Sequence, residues 1–271
     1  MLETDPNITR IYKYVKIDEG SLRIITDFTL KFSSPSEFND PLDCMPVIED
    51  SPNLHEVARN KKDLRKQLND QRGNSPAKRI ENKLKDVREL QKNIRETSKS
   101  ESRTVNGLGI CCFTSKPNNI LLWSHYGDSH RGMVIGFDVK FPKNYVTTPP
   151  SRRLALGTEN LIGHNVEYAS QRPVFHYGID DNNTLLTKFA LTKAKLWAYE
   201  EEIRVIEHDR GAGIFSFQPH CIKEVITGVK TPLPVIEHLS SLVEKANRDP
   251  LVKIQFKQAA ISETNFEVVI T

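Results

Sequence analysis

The acidic run Tyr199-Glu200-Glu201-Glu202-Ile203-Arg204 holds the residues best suited to chemistry. It falls where a helical stretch hands over to a strand. With residues 200–204 extended, side chains alternate, so Glu200, Glu202 and Arg204 line one face and Glu201 turns away. That would gather two carboxylates and a guanidinium into one charged site. The competing reading is a solvated helix end, where Arg204 pairs with a carboxylate for at most about 1 kcal/mol. A second constellation is Trp123-Ser124-His125-Tyr126-Gly127-Asp128-Ser129-His130-Arg131. On a helix His125 and Asp128 share a face, and His125 would act as a general base or a phosphate contact. Otherwise His125 and Trp123 are hydrogen-bonded core side chains under a sheet. His125 and His130 are not at i,i+3 or i,i+4 and no third ligand is evident, so no metal site is expected. The third is Phe38-Asn39-Asp40-Pro41-Leu42-Asp43. Its polar side chains and Pro41 describe a tight turn, with Asn39 or Asp43 available at the rim of a site.

Common signatures do not compete with these. Gly107-Leu108-Gly109 and Gly211-Ala212-Gly213 lack the length and flanks of a phosphate loop or dinucleotide turn. HExxH and GxSxG runs do not occur, which removes the usual protease and hydrolase patterns. The four cysteines, Cys44, Cys111, Cys112 and Cys221, form no CxxC pair. They read as buried free thiols of a reducing cytosol. Cys112 is the best placed nucleophile among them, although nothing in its surroundings activates it.

The elements that must position these residues alternate irregularly along 271 residues. Strands are expected at 8–15, 28–33, 108–114, 133–139, 166–168, 203–207, 222–227, 252–259 and 266–270. Helices are expected at 18–26, 118–128, 184–199 and 233–246, with a loop over 142–163. No regular βαβ period emerges, so the fold class is α+β, a mixed, mainly antiparallel sheet core with packed helices. Residues 54–103 carry fifteen Lys and Arg against eight Asp and Glu, a surplus of seven positive charges in a chain whose net charge is +3. This segment reads as a basic helical hairpin inserted into a single domain spanning 1–271. Its turn is Arg72-Gly73-Asn74-Ser75-Pro76, and one arm has the apolar stripe Ile80, Leu84, Val87, Leu90, Ile94. Few aromatics interrupt it. It would grip a nucleic-acid backbone electrostatically without reading bases, or serve as a solvated face. No apolar run approaches the roughly 18 residues of a membrane span. The polar start Met1-Leu2-Glu3-Thr4-Asp5-Pro6 lacks a signal peptide's regions. A cytoplasmic location is expected.

Four segments together resemble the bacterial family called domain of unknown function 2971. They are Ile11 to Tyr14; Leu30 to Asp43; Cys112 to Ser115 with Leu122 to Asp128, His130 to Gly132 and Ile135 to Asp138; and Lys195 to Arg204 with the following strand Ile222 to Gly228. Their order and spacing run nearly the whole chain, and the basic hairpin falls where such proteins vary. The family brings a fold pattern and no accepted reaction. Proteins of this type resemble accessory genes of mobile elements, which implies a toxin or anti-phage defence setting.

A more remote resemblance concerns the reaction. Glu200-x-Glu202 ahead of a strand is similar to the catalytic segment of ADP-ribosyltransferases, which implies NAD as co-substrate. There a glutamate stabilises an oxocarbenium-like transition state. The resemblance gives that role to Glu202, with Glu200 in support, and places the dinucleotide on Tyr12, Tyr14 and Ser33. Arg204 is the further candidate contact. A non-enzymatic binding or sensor protein is the alternative. A nuclease using His125, Glu200 and Glu202 is the third.

Overall fold

Strands from both ends of the chain meet in one sheet. The computed structural model describes residues 10–50, 107–139, 161–177, 182–207 and 210–271. The proposed basic hairpin lies outside the described residues. The strands are β1 (Arg10–Val15), β2 (Thr29–Phe32), β3 (Val47–Asp50), β4 (Gly109–Thr114), β5 (Met133–Asp138), β6 (Gly163–Asn165) and β7 (Glu167–Ala169). They continue with β8 (Val174–Tyr177), β9 (Thr192–Ala194), β10 (Glu202–Glu207), β11 (Gly213–Ser216), β12 (Ile222–Thr227), β13 (Gln255–Ile261) and β14 (Val268–Ile270). The helices are α1 (Glu19–Thr26), α2 (Ile120–His125), α3 (Asn182–Ala190) and α4 (Leu233–Ala246). Eight strands form the main sheet in the order β14-β13-β12-β5-β1-β4-β10-β6. Neighbours run antiparallel except β12 and β13, which are parallel and are joined through α4. The fold is the expected α+β with a mixed, mainly antiparallel sheet.

Alternation along the strands sorts the two faces. One face is apolar. Ile11, Phe113, Ile135, Phe137, Ile203, Val205 and Val225 pack there beneath α1 and α4, which contribute Ile24, Ile25, Leu239 and Val243. Asp18 starts α1 in a capping box with Ser21, satisfying otherwise orphaned backbone N–H groups. The other face is polar at its centre. Pairing runs Glu224↔Gly136, Gly136↔Tyr12, Tyr12↔Thr114 and Thr114↔Glu202. One row of residues therefore crosses five strands on one side of the sheet. Gly136 is small by necessity, since a Cβ there would lie 2.5 Å from Glu224 Cγ and 3.1 Å from Tyr12 Cε1. Helix α2 covers part of this face, where Leu122 and fully buried Trp123 pack with Tyr14, Val134 and Ile226.

Some expected elements change. The helix foreseen over 184–199 ends at Ala190 and is followed by β9 and a 3-10 turn, Lys195–Glu200. Thr192 supplies part of the reason, because its hydroxyl donates back to the Thr187 carbonyl at 2.9 Å while residues 192–194 pair with β7. Helix α2 is shorter than 118–128. Asp128, Ser129 and His130 all have positive φ, so the chain turns left-handed where a helix would have placed Asp128 beside His125. Strands β3, β6, β8 and β11 had no counterpart in the sequence reading. No helix among the described residues is long and apolar enough to cross a membrane.

Candidate active-site cleft

The cleft opens where β1 and β4 part. These neighbours pair at Tyr12 and Thr114, whereas β1 pairs with β5 along its whole length. Beyond that pair, Lys13 and Phe113 from one face and Tyr12, Tyr14, Cys112 and Thr114 from the other line a common space of about 330 Å³. Phe38, Asn39 and Asp43 close it from the turn after β2, and Tyr126 closes it from the end of α2. Lys193, Glu200 and Glu202 complete the wall.

Charges at the wall are paired with little slack. Lys193 Nζ lies 2.6 Å from Glu200 Oε2, 2.8 Å from Glu202 Oε2 and 3.8 Å from Asp43 Oδ2. Arg204 donates from Nε to Glu202 Oε1 at 2.7 Å, from Nη2 to Asp43 at 2.6 Å, and from Nη1 to the Ala190 carbonyl at 2.8 Å. Its guanidinium also stands over the Phe38 ring. All five of these side chains are buried. Buried charges of this kind require close partners.

The two glutamates differ in what they have left to offer. Glu202 accepts from Arg204 Nε, Arg204 Nη2, Lys193 and the Cys112 thiol. A carboxylate has about four acceptor positions, so Glu202 is saturated internally. Burial alone would raise its pKa, but Arg204 and Lys193 override it and bring the carboxyl down to about 2. Glu200 accepts from Lys193 at Oε2 and from the Tyr126 hydroxyl at Oε1, 2.9 Å away. Among the described residues it keeps about half of its acceptor capacity. Burial and the Glu200 charge push the Tyr126 hydroxyl well above its ordinary pKa, so it remains a proton donor.

The turn at Glu201 produces this arrangement. Residues 200–204 are not one extended run: Glu200 ends the 3-10 turn and Glu201 is left-handed, with φ 43° and ψ 52°. The left-handed residue turns its own side chain outward, where the carboxylate accepts from the Ser115 hydroxyl at 2.6 Å. Glu200 and Glu202 are thereby both returned to Lys193. The backbone N–H of Glu202 donates to the Tyr168 hydroxyl at 2.7 Å, which fixes the start of β10.

The structure brings Tyr12, Tyr14, Glu200 and Glu202 together in one cleft. Tyr14 offers mainly its ring, because its hydroxyl donates to the Lys116 carbonyl and accepts from the Asn119 N–H. Arg204 is near them but fully buried behind Glu202, so it braces the wall and is not presented to a ligand. Ser33 lies outside the cleft lining; its backbone pairs with Ile110 and its side chain bonds Glu37. His125 is exposed at the end of α2 and also lies outside, because the helix stops there and the next residue, Tyr126, turns inward. His125 is thus neither beside the carboxylates nor in the core, while Trp123 is in the core, its indole N–H on the Pro117 carbonyl. Lys193, Lys13 and Tyr126 are among the cleft residues that sequence reasoning missed. Cys44, Cys111 and Cys221 are buried as expected, whereas Cys112 is only partly buried. Burial pushes Cys112 well above the ordinary thiol value and Cys44 up to about 12, so neither is an activated nucleophile. Among the described residues no cluster of His, Cys, Asp and Glu is placed to hold a metal ion.

Residues 122–205 match the family described as protein of unknown function (DUF2971). Over that stretch the chain is similar to DUF2971 proteins. The DUF2971 match runs from α2 into β10, so it contains Tyr126, Lys193, Glu200, Glu202 and Arg204. Tyr12, Lys13 and Asp43 reach the cleft from outside it. No curated protein and no solved structure matches the chain.

Proposed function

We propose that the cleft binds NAD and that the chain is an ADP-ribosyltransferase-like enzyme. The observation that carries this reading is Glu200, a carboxylate held by Lys193 and Tyr126 at the wall of a cleft, with acceptor capacity to spare. In the proposed reaction the bond between nicotinamide and ribose breaks, and its electron pair leaves on the nicotinamide. Positive charge then develops on the ribose, facing the Glu200 carboxylate, and electrostatic stabilisation lowers the barrier. A nucleophilic oxygen or nitrogen of the acceptor forms the new bond and releases its proton. Glu202 is a positioning residue in this scheme, holding Lys193 and Arg204. The rings of Tyr12 and Tyr14 form the wall against the nucleoside. A volume near the lower end of the usual ligand range of about 300–1,000 Å³ suits one nucleoside-sized half of a dinucleotide.

The acceptor we favour is a macromolecule, with nucleic acid held through the basic segment 54–103, in a toxin or anti-phage defence setting. Affinity for nucleic acid should then fall steeply with ionic strength, and charge reversal at Lys61, Lys62, Arg65 and Lys66 should weaken it on any sequence. The deciding experiment measures nicotinamide release from NAD with cell extract or nucleic acid as acceptor. Release that Glu200→Gln abolishes supports the reading. A wild-type protein that neither binds NAD nor releases nicotinamide with any acceptor overturns it. A second reading, a non-enzymatic sensor, is favoured by the internal saturation of Glu202; NAD binding without turnover would establish it.

A further inference from the structure

Lys13 is a charged residue on an apolar strand face. By alternation it shares that face with Ile11 and Val15, and it pairs with Ile135. Its side chain occupies the opening between β1 and β4, lies over the Phe113 ring, and donates to the Cys112 carbonyl at 3.1 Å. The ammonium thus takes a carbonyl next to the point where the β1–β4 pairing stops. An ammonium has three donors; the Cys112 carbonyl and the Cys111 thiol engage two of them, which leaves one. The other lysine of the cleft, Lys193, sits directly on carboxylates. Lys13 does not: among the described residues no carboxylate lies within salt-bridge distance, and Glu202 acts on it only from farther away. A cation in such a place is costly unless something meets it.

We infer that Lys13 is the contact for an anionic group of the ligand, and that this group is a phosphate attached to the sugar that faces Glu200. This deepens the reading above and rests on the cleft being a ligand site. The cleft then has two ends of opposite character. Carboxylate capacity at Glu200 suits hydroxyls and developing positive charge, while the remaining donor of Lys13 suits a phosphate, for which lysine acts as a point charge. The ligand class that satisfies both is a 5′-phosphorylated nucleoside or a larger molecule containing one.

The test compares nicotinamide mononucleotide with nicotinamide riboside, which differ by that phosphate, in calorimetric titrations of the full chain. Wild type should bind the mononucleotide on the order of 10–100-fold more tightly, the range for a hydrogen bond to a charged group. Lys13→Met should erase the preference, so that the mononucleotide binds no more tightly than the riboside, while Lys13→Arg should keep part of it. Thermal unfolding of each variant checks that the strands remain intact. A preference that survives in Lys13→Met overturns the assignment, as does equal binding of both compounds by wild type. If wild type binds neither compound and neither binds NAD nor releases nicotinamide from it, the NAD reading has failed, and inorganic pyrophosphate decides separately. Pyrophosphate binding lost in Lys13→Met and kept in Glu200→Gln supports the anion site; no pyrophosphate binding overturns it.

Discussion

The Tyr126 hydroxyl donates to Glu200 across 74 positions of chain, at 2.9 Å. This bond ties the end of α2 to the start of β10 and fixes one oxygen of the carboxylate that faces the cleft. Tyr126→Phe keeps the ring and removes the donor. A hydrogen bond to a charged group contributes about 1.5–3 kcal/mol, and a loss in that range is expected in denaturant unfolding. Nicotinamide release should fall as well, since Glu200 loses a constraint on its orientation.

The three glutamates should separate cleanly. Glu200→Gln removes the charge aimed at the ribose and should lower the rate of nicotinamide release by about 10²–10³ with NAD binding retained. Glu202→Gln should act mainly on stability, because all its bonds are internal. Glu201→Gln should be nearly silent in release, as its side chain points to Ser115 outside the cleft. Rates and melting temperatures of the three variants, measured side by side, check this. Equal loss of rate at Glu201 would show that the geometry of the turn is misassigned.

Acid should act through Glu202. Its pKa lies at about 2 in the folded protein against an ordinary 4.5, so the folded state holds this proton less readily than the unfolded one. The stabilisation is complete above pH of about 4.5 and is lost as pH falls towards about 2. Denaturant titrations of wild type and Glu202→Gln should therefore differ most at neutral pH and converge through that window.

Lys193→Met should be among the most damaging single changes. It leaves Glu200, Glu202 and Asp43 buried around a missing cation, and breaking a buried pair costs about 3–5 kcal/mol. Denaturant unfolding of the variant at neutral pH, against wild type, checks the loss.

Gly136→Ala probes the row that crosses the sheet. The added methyl meets Glu224 and Tyr12, and Glu224 cannot easily retreat, since Arg10 and Lys257 both hold it. Overpacking of this sort costs about 1–3 kcal/mol. Thermal unfolding reads the cost, and weaker mononucleotide binding would report the displacement of Tyr12.

What could be read ahead of the structure follows from which signals are local. Alternation in β1 put Tyr12 and Tyr14 on one side, and the acidic run pointed to Glu200 and Glu202. The route to the second result was nevertheless different, since the left-handed Glu201 does what a straight strand was expected to do. Lys193 was hidden because residues 184–199 carry an unbroken helical pattern. The β-branched Thr192 beside it was the available hint of a break. Tyr126 was passed over for His125, whose chemistry is more familiar. Which of two neighbours turns inward was decided by where α2 stops, and three left-handed residues are not legible in composition. Lys13 alternates with Tyr12 and Tyr14 along β1, and nothing local says that β1 and β4 part beside it.

The position of β1 between β5 and β4 also bears on how the protein is made. Tyr14 bonds Lys116, 102 positions later, and Asp43 waits for Arg204, 161 positions later. At ribosomal rates of about 5–20 residues per second, the first strand is synthesised roughly 5–20 s before its partners emerge. Its neighbours then settle on both sides of it, and the nascent cleft carries Asp43 without its cation until β10 arrives. Chain release stalled before Arg204 would leave that acidic turn and the apolar side of β1 exposed together, a substrate for chaperones and proteases.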